Sequence, residues 1–166
     1  MNSYHPIVFT LRALLDSESI PYETFEHEAV RTSEEAAQSR DGYTLQQGAK
    51  AIIIRVKEKL TSRIFFAVVV VPGDKRFDNK TLKQLLNAKD IRFATEEEVA
   101  EVTGGVQVGG VPPFGSIFGL PTYVDESLYE NDHIIFNAGD RRFSIGMKSA
   151  DYRAICKTTV VSIMPE

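Results

Sequence analysis

The chain has no tryptophan and a single cysteine, Cys156, in 166 residues. A lone cysteine excludes an intramolecular disulfide and a cysteine-based zinc cluster. His5, His27 and His133 are the only histidines, and none stands at HxxxH or HExxH spacing, so neither a metal site nor a cofactor is expected. Basic charge is not in excess: the net charge of −4 argues against duplex DNA as a partner. It leaves room for a local patch that grips a nucleic-acid end. The longest apolar run, IFFAVVVVP at 64–72, falls far short of the about 20 residues that span a bilayer. The start, MNSYHPIVFTLRALL, lacks a basic region leading into a long apolar run and a small-residue cleavage site. A soluble cytoplasmic protein without membrane contact is expected.

Signatures of common reactions are missing too. No GxSxG nucleophile turn occurs, and Cys156 stands at the end of an expected helix without a base beside it. GxxxxGK[ST] is absent, so Gly73-Asp74-Lys75-Arg76 reads as a turn after a strand. Glu96-Glu97-Glu98 is a solvated helix start rather than a glycosidase pair.

What is present is an ordinary globular balance, 43% hydrophobic and 25% charged, of a length that suits one domain over 1–166. Pro6 suits a first helical position, and Ile7, Leu11, Leu14 and Leu15 share one face, which predicts a helix over 6–18. Tyr22 to Glu26 reads as a short strand. Thr32-Ser33-Glu34-Glu35 and Thr95-Glu96-Glu97-Glu98 are capping boxes, each opening a helix. Ala51 to Val56 and Ile64 to Val71 are strands with near-continuous branched or aromatic content, expected to be buried on both faces. Asp78 or Asn79 caps a helix carrying Leu82, Leu85 and Leu86. Strands follow at Thr122 to Val124, His133 to Asn137, Arg142 to Met147 and Thr158 to Ile163, with a short helix at Ser149 to Ile155. Several strand pairs lie too close for helical crossovers, so the fold class is α+β with a mixed or largely antiparallel sheet.

Three segments are candidates for chemistry. Lys50 enters a buried strand, where it either snorkels to solvent or places a point charge at the mouth of a pocket. Asn137-Ala138-Gly139-Asp140 closes a strand as a hairpin turn or as a backbone rim for a ligand. The third is VGGVPPFG at 108–115, which carries no acid, base, nucleophile or metal ligand. Gly109 and Gly110 let backbone N–H groups approach a ligand closely, while Pro112 and Pro113 stiffen the loop and remove two donors. Such a loop is either a rigid connector or a set of pre-aimed donors for a developing oxyanion.

HEAVRTSEEAA (27–37), GAKAIIIR (48–55), VVPGDKRFDNKTLKQLL (70–86), FATEEEVAEVTGGVQVGGVPPFG (93–115) and IIFNAGDRRFSIGMK (134–148) occur in that order. Together they resemble the YbaK/ProX family of aminoacyl-tRNA deacylases, related to the insertion editing domain of bacterial prolyl-tRNA synthetases. The resemblance spans nearly the whole chain. It implies a sheet or partial barrel surrounded by short helices, and hydrolysis of the ester joining a wrong amino acid to the 3′-terminal adenosine of tRNA. It further implies that Lys50 is the polar residue of the pocket. The family's GxxxP loop maps to Gly109, Gly110, Val111, Pro112 and Pro113, whose backbone would hold the terminal ribose and carbonyl while water attacks. Asn137, Ala138 and Gly139 would line the aminoacyl pocket and Thr32 its rim. The implied partners are the acceptor end of an aminoacyl-tRNA and, for a freestanding chain, an aminoacyl-tRNA synthetase.

Two positions depart from the family pattern. Asp140-Arg141 stands where relatives often carry Ser-His, and Pro112 where many carry Ser or Thr. Both bear on the amino acid accepted. Two other functions remain compatible with the residues: a non-catalytic module that binds tRNA ends or a synthetase, and a hydrolase or binder of small esters or nucleotides.

Overall fold

The computed structural model describes residues 3–29 and 42–165. Thr32 and the helix expected from its capping box lie outside the described residues. In chain order the elements are α1 (Ile7–Ser17), β1 (Tyr22–Glu26), β2 (Ala49–Glu58), β3 (Ile64–Pro72), α2 (Asn79–Leu86), β4 (Ala88–Phe93), α3 (Glu96–Thr103), β5 (Thr122–Asp125), β6 (His133–Asp140), β7 (Phe143–Lys148), α4 (Ser149–Ile155) and β8 (Thr159–Val161). The fold is α+β, as expected. A three-stranded antiparallel sheet runs β1-β7-β6, and a five-stranded sheet runs β4-β2-β3-β5-β8. In the second, β4-β2-β3 are antiparallel and β3-β5-β8 parallel. The two sheets touch through a parallel bridge between Gly48 and Ile135 and stay open rather than closing into a barrel.

The run of valines in β3 explains the layering. Ala67 to Val71 are fully buried because both faces of the strand are covered. Side chains alternate across a strand, so Val68 and Val70 join the cluster with α1, β6 and β7. Ala67, Val69 and Val71 face the opposite cluster, with Leu82 of α2, Ile91 of β4 and Ile163. Each fully buried valine contributes about 1.5–3 kcal/mol of transfer free energy. The strand is thus the spine from which both layers hang.

Local signals set the helix ends. The Asp78 carboxylate accepts the Thr81 N–H at 3.1 Å, capping α2. In α3 the Thr95 hydroxyl accepts from the Glu98 N–H, and the Glu98 carboxylate accepts from the Thr95 N–H. Pro6 occupies the cap of α1 rather than its first turn, and the Ile7 N–H is taken by His5 Nδ1 at 3.1 Å.

One strand is unforeseen in the sequence, and one ends later than expected. Strand β4, AKDIRF, carries no strand signal, because only Ala88 and Ile91 of its six residues point inward. The β6 strand does not stop at Asn137 but continues through a bulge to Asp140, and the turn falls at Arg141-Arg142. Gly139 sits in that bulge at φ +110°, where an added Cβ would meet Ile7 Cγ2 at 1.8 Å. The glycine lets α1 lie directly on β6.

Candidate functional site

The glycine loop lies between α3 and the 3-10 turn at Gly115–Phe118. Gly109 is exposed at φ +89°, whereas Gly110 to Gly115 are buried. Three of the loop's carbonyls are committed to the protein behind it. The Gly109 carbonyl accepts from Asn137 Nδ2 at 2.7 Å, and the Gly110 carbonyl accepts from the Gly139 N–H at 2.8 Å. The Pro113 carbonyl accepts from the Tyr152 hydroxyl at 2.6 Å and faces the Cys156 thiol at 3.5 Å. Burial holds the Tyr152 phenol well above its usual range and pushes the Cys156 thiol up to about 11. Both stay protonated at neutral pH, so Cys156 is a donor to the loop and not a thiolate nucleophile.

The loop's donors are few. Pro112 and Pro113 have none, and the Gly110 N–H is used by the Gln107 carbonyl at 2.9 Å. Among the described residues, the N–H groups of Gly109 and Val111 have no acceptor. A stiff loop with three carbonyls tied back and, among the described residues, two amides without an acceptor has the chemistry to donate to an oxygen that gains charge.

Asn137 is itself held. It pairs across the hairpin with Ser144 of β7, whose hydroxyl donates to Asn137 Oδ1 at 3.0 Å. His27, just beyond β1, places Nε2 2.8 Å from that same hydroxyl and donates from Nδ1 to the Glu28 carbonyl at 2.8 Å. These contacts fix the orientation of Asn137, with the NH₂ toward the loop carbonyl and the oxygen toward the serine. A polar chain thus runs His27–Ser144–Asn137–Gly109, joining the end of β1, the hairpin and the loop.

Lys50 lies on β2 opposite Val71, half-buried, and donates from Nζ to the Lys75 carbonyl at 2.9 Å in the turn after β3. The Gly48–Ile135 bridge runs parallel, and Lys50 and Asn137 each stand two residues beyond it. The fold therefore brings Lys50, Asn137 and the 109–113 loop to one end of the contact between the sheets. Ala138 is different: its side chain is fully buried in the core, so it offers only backbone. No group of three or more His, Cys, Asp or Glu gathers among the described residues as metal ligands would. No helix among them is long and apolar enough to cross a membrane.

The sequence marks His27 as a surface or cleft residue and Cys156 as an unsupported nucleophile, and gives no role to Ser144 or Tyr152. A serine among the apolar residues of FSIGM is the available signal, because a buried hydroxyl needs a partner.

Comparison with known proteins gives a consistent picture. Residues 27–155 match the model of a family described as the aminoacyl-tRNA editing domain. The multifunctional Ser/Thr-tRNA deacylase ProXp-y of Escherichia coli (strain K12) is 34% identical over 153 residues, 92% of this chain and 89% of its own length. The proline–tRNA ligase of Sulfurihydrogenibium sp. is 32% identical over 94 residues, 57% of this chain and 15% of that much longer enzyme. A crystal structure of a candidate trans-editing enzyme for prolyl tRNA synthetase superposes with a TM-score of 0.81 at 28% identity, covering 99% of this chain and all of the other.

Proposed function

The chain belongs to the aminoacyl-tRNA editing domain family, and from that premise we propose that residues 1–166 form one domain that acts in the cytoplasm as a trans-editing deacylase. It hydrolyses the ester between a wrong amino acid and the 3′-terminal adenosine of tRNA. The observation that carries this reading is the loop whose Gly109, Gly110 and Pro113 carbonyls are tied to Asn137, Gly139 and Tyr152 while, among the described residues, the Gly109 and Val111 N–H groups have no acceptor.

The chemistry asks little of side chains. An aminoacyl ester is already activated, so positioning and oxyanion stabilisation supply what is needed. Water adds to the ester carbonyl carbon, and the carbonyl oxygen takes up the charge opposite the loop amides. The tetrahedral intermediate then collapses with cleavage of the bond to the ribose oxygen. That oxygen leaves as a hydroxyl, and the amino acid departs as its carboxylate with a proton released to solvent. Lys50 answers the negative charge near the 3′ end or orders the attacking water, and Thr32, outside the described residues, is assigned to the substrate by the family resemblance alone. Gly110, Pro112 and Pro113 keep the loop stiff, while Asn137 and the Ala138-Gly139 backbone hold it in place.

The similarity to a protein named Ser/Thr-tRNA deacylase directs the test. Seryl and threonyl esters on non-cognate tRNAs head a panel that also includes alanyl and cysteinyl esters, each beside the correctly charged tRNA. Release of amino acid from at least one mischarged species supports the proposal. Tight binding of tRNA, or of a synthetase, without loss of the ester would establish a non-catalytic module instead.

A further inference from the structure

A cleft of about 440 Å³ is lined by Gly139, two residues beyond Asn137 on β6. Its walls include Tyr4 and His5 ahead of α1, Gln107 of the glycine loop's approach, and Asp140, Arg141 and Arg142 at the β6–β7 turn. Its volume falls in the range of small-ligand sites.

The two arginines are used differently. Arg142 is bidentate with Asp140, both contacts at 2.9 Å, donates to the Ser3 carbonyl and lies 5.2 Å over the Tyr4 ring. Its charge is answered, and it is a wall. The hydrogen bonds from Arg142 likewise hold the Asp140 carboxyl below its usual range, so the cleft's acid is neutralised in place. His5 is also committed, with Nε2 on the Gly104 carbonyl and Nδ1 on the Ile7 N–H.

Arg141 is not committed in this way. Its Nε donates to Gln107 Oε1 at 3.2 Å, which orients the guanidinium, yet no carboxylate forms an ion pair with it among the described residues. Its aliphatic stem crosses the glycine loop, so close that a Cβ on Gly109 would stand 3.4 Å from Arg141 Cδ. One side chain therefore touches the loop with its stem and faces the cleft with a planar fork of donors. In a chain of net charge −4 this is a localised, pre-oriented cation.

We infer that this cleft takes the phosphodiester and ribose of the nucleotide preceding the terminal adenosine, with the Arg141 guanidinium paired to the phosphate oxygens. A guanidinium fork matches phosphate geometry, and the phosphate joining the last two nucleotides must lie next to the terminal ribose. The inference rests on the reading of the 109–113 loop as the terminal-ribose site. It extends that reading to tRNA contact by this chain itself.

The test uses a fluorescent RNA tetranucleotide ending in CCA, with adenosine and inorganic phosphate as competitors, on the wild type, Arg141→Gln and Arg141→Lys. Thermal melting establishes that each variant is folded. The wild type is expected to bind the tetranucleotide at least about tenfold more tightly than adenosine; Arg141→Gln removes most of that advantage and Arg141→Lys restores part of it. In kinetics, Arg141→Gln lowers the ratio of kcat/KM for mischarged tRNA to that for a 3′-O-aminoacyl adenosine by about tenfold. Equal losses on both substrates, or a tetranucleotide affinity unmoved by Arg141→Gln, would overturn the inference. So would full displacement of the tetranucleotide by phosphate alone, which marks a free-phosphate site. If the wild type deacylates nothing, the function fails, while the binding comparison still decides the cleft.

Discussion

Asn137 Nδ2 donates to the Gly109 carbonyl oxygen at 2.7 Å, tying strand β6 to the exposed end of a loop that has no reactive side chain. Behind it stand Ser144 and His27, so the loop's geometry depends on residues from the far ends of the chain. The chemistry assigned to the loop is a property of its backbone, and this contact holds the backbone at its exposed end.

Replacing Asn137 tests that dependence. Asn137→Ala removes the donor, and Asn137→Asp turns a carboxylate oxygen toward the Gly109 carbonyl. Single-turnover deacylation is expected to fall by about tenfold for the alanine and by more for the aspartate, the scale of one misplaced donor. Wild-type rates in both would show that the loop holds its shape unaided.

Ser144 is fully buried, and its loss leaves polar atoms of His27 and Asn137 without their shared partner. Ser144→Ala should cost about 1–3 kcal/mol in urea unfolding. If the hydroxyl acts through Asn137, the double variant Ser144→Ala, Asn137→Ala deacylates no more slowly than Asn137→Ala alone. Additive losses in activity would break the link between the two residues.

The glycines separate function from fold. At Gly139 an added Cβ collides with Ile7 at 1.8 Å on a φ of +110°, so Gly139→Ala should lower the melting temperature steeply. At Gly109 the nearest atom is the flexible Arg141 Cδ, and the cost is the φ of +89°, about 1–2 kcal/mol. Gly109→Ala is therefore expected to stay folded and to lose activity. A folded, fully active Gly109→Ala would return the loop to the role of connector.

Glu98 provides a pH signature. Its hydrogen bonds from Arg92 and from the Thr95 N–H push its carboxyl from 4.5 down to about 2. A carboxyl lowered on folding stabilises the protein above its unfolded value, and the benefit is lost as pH falls toward the folded value. The melting-temperature gap between the wild type and Glu98→Gln should thus be widest above about pH 5 and close between pH 4.5 and 2. A gap that is constant across this window would contradict the assignment.

Much of the scaffold is legible because its signals are local. Thr95 and Glu98 cap α3 as their spacing predicts, Asp78 caps α2, and the valines of β3 mark a strand covered on both faces. Strand β4 is not legible. Lys89, Asp90 and Arg92 give it no alternating pattern, and its place comes from pairing with β2. The end of β6 misleads because Ala138-Gly139-Asp140 has turn chemistry, yet Gly139 is there to admit Ile7. At the site, the loop and Lys50 stand out as segments, but His27 and Ser144 are 117 residues apart and meet only in the folded protein. No spacing rule reaches across that distance.

The most direct measurement follows labelled amino acid released from mischarged seryl- and threonyl-tRNA by the wild type and by Lys50→Ala at matched concentration. The wild type is expected to clear at least one mischarged species while sparing the correctly charged tRNA. Lys50→Ala, melting at the wild-type temperature, should be slower by about a hundredfold, the scale of a lost electrostatic contact in a reacting site. A wild type no faster than buffer would contradict deacylation itself, and a Lys50→Ala protein as fast as the wild type would contradict the lysine's part in it.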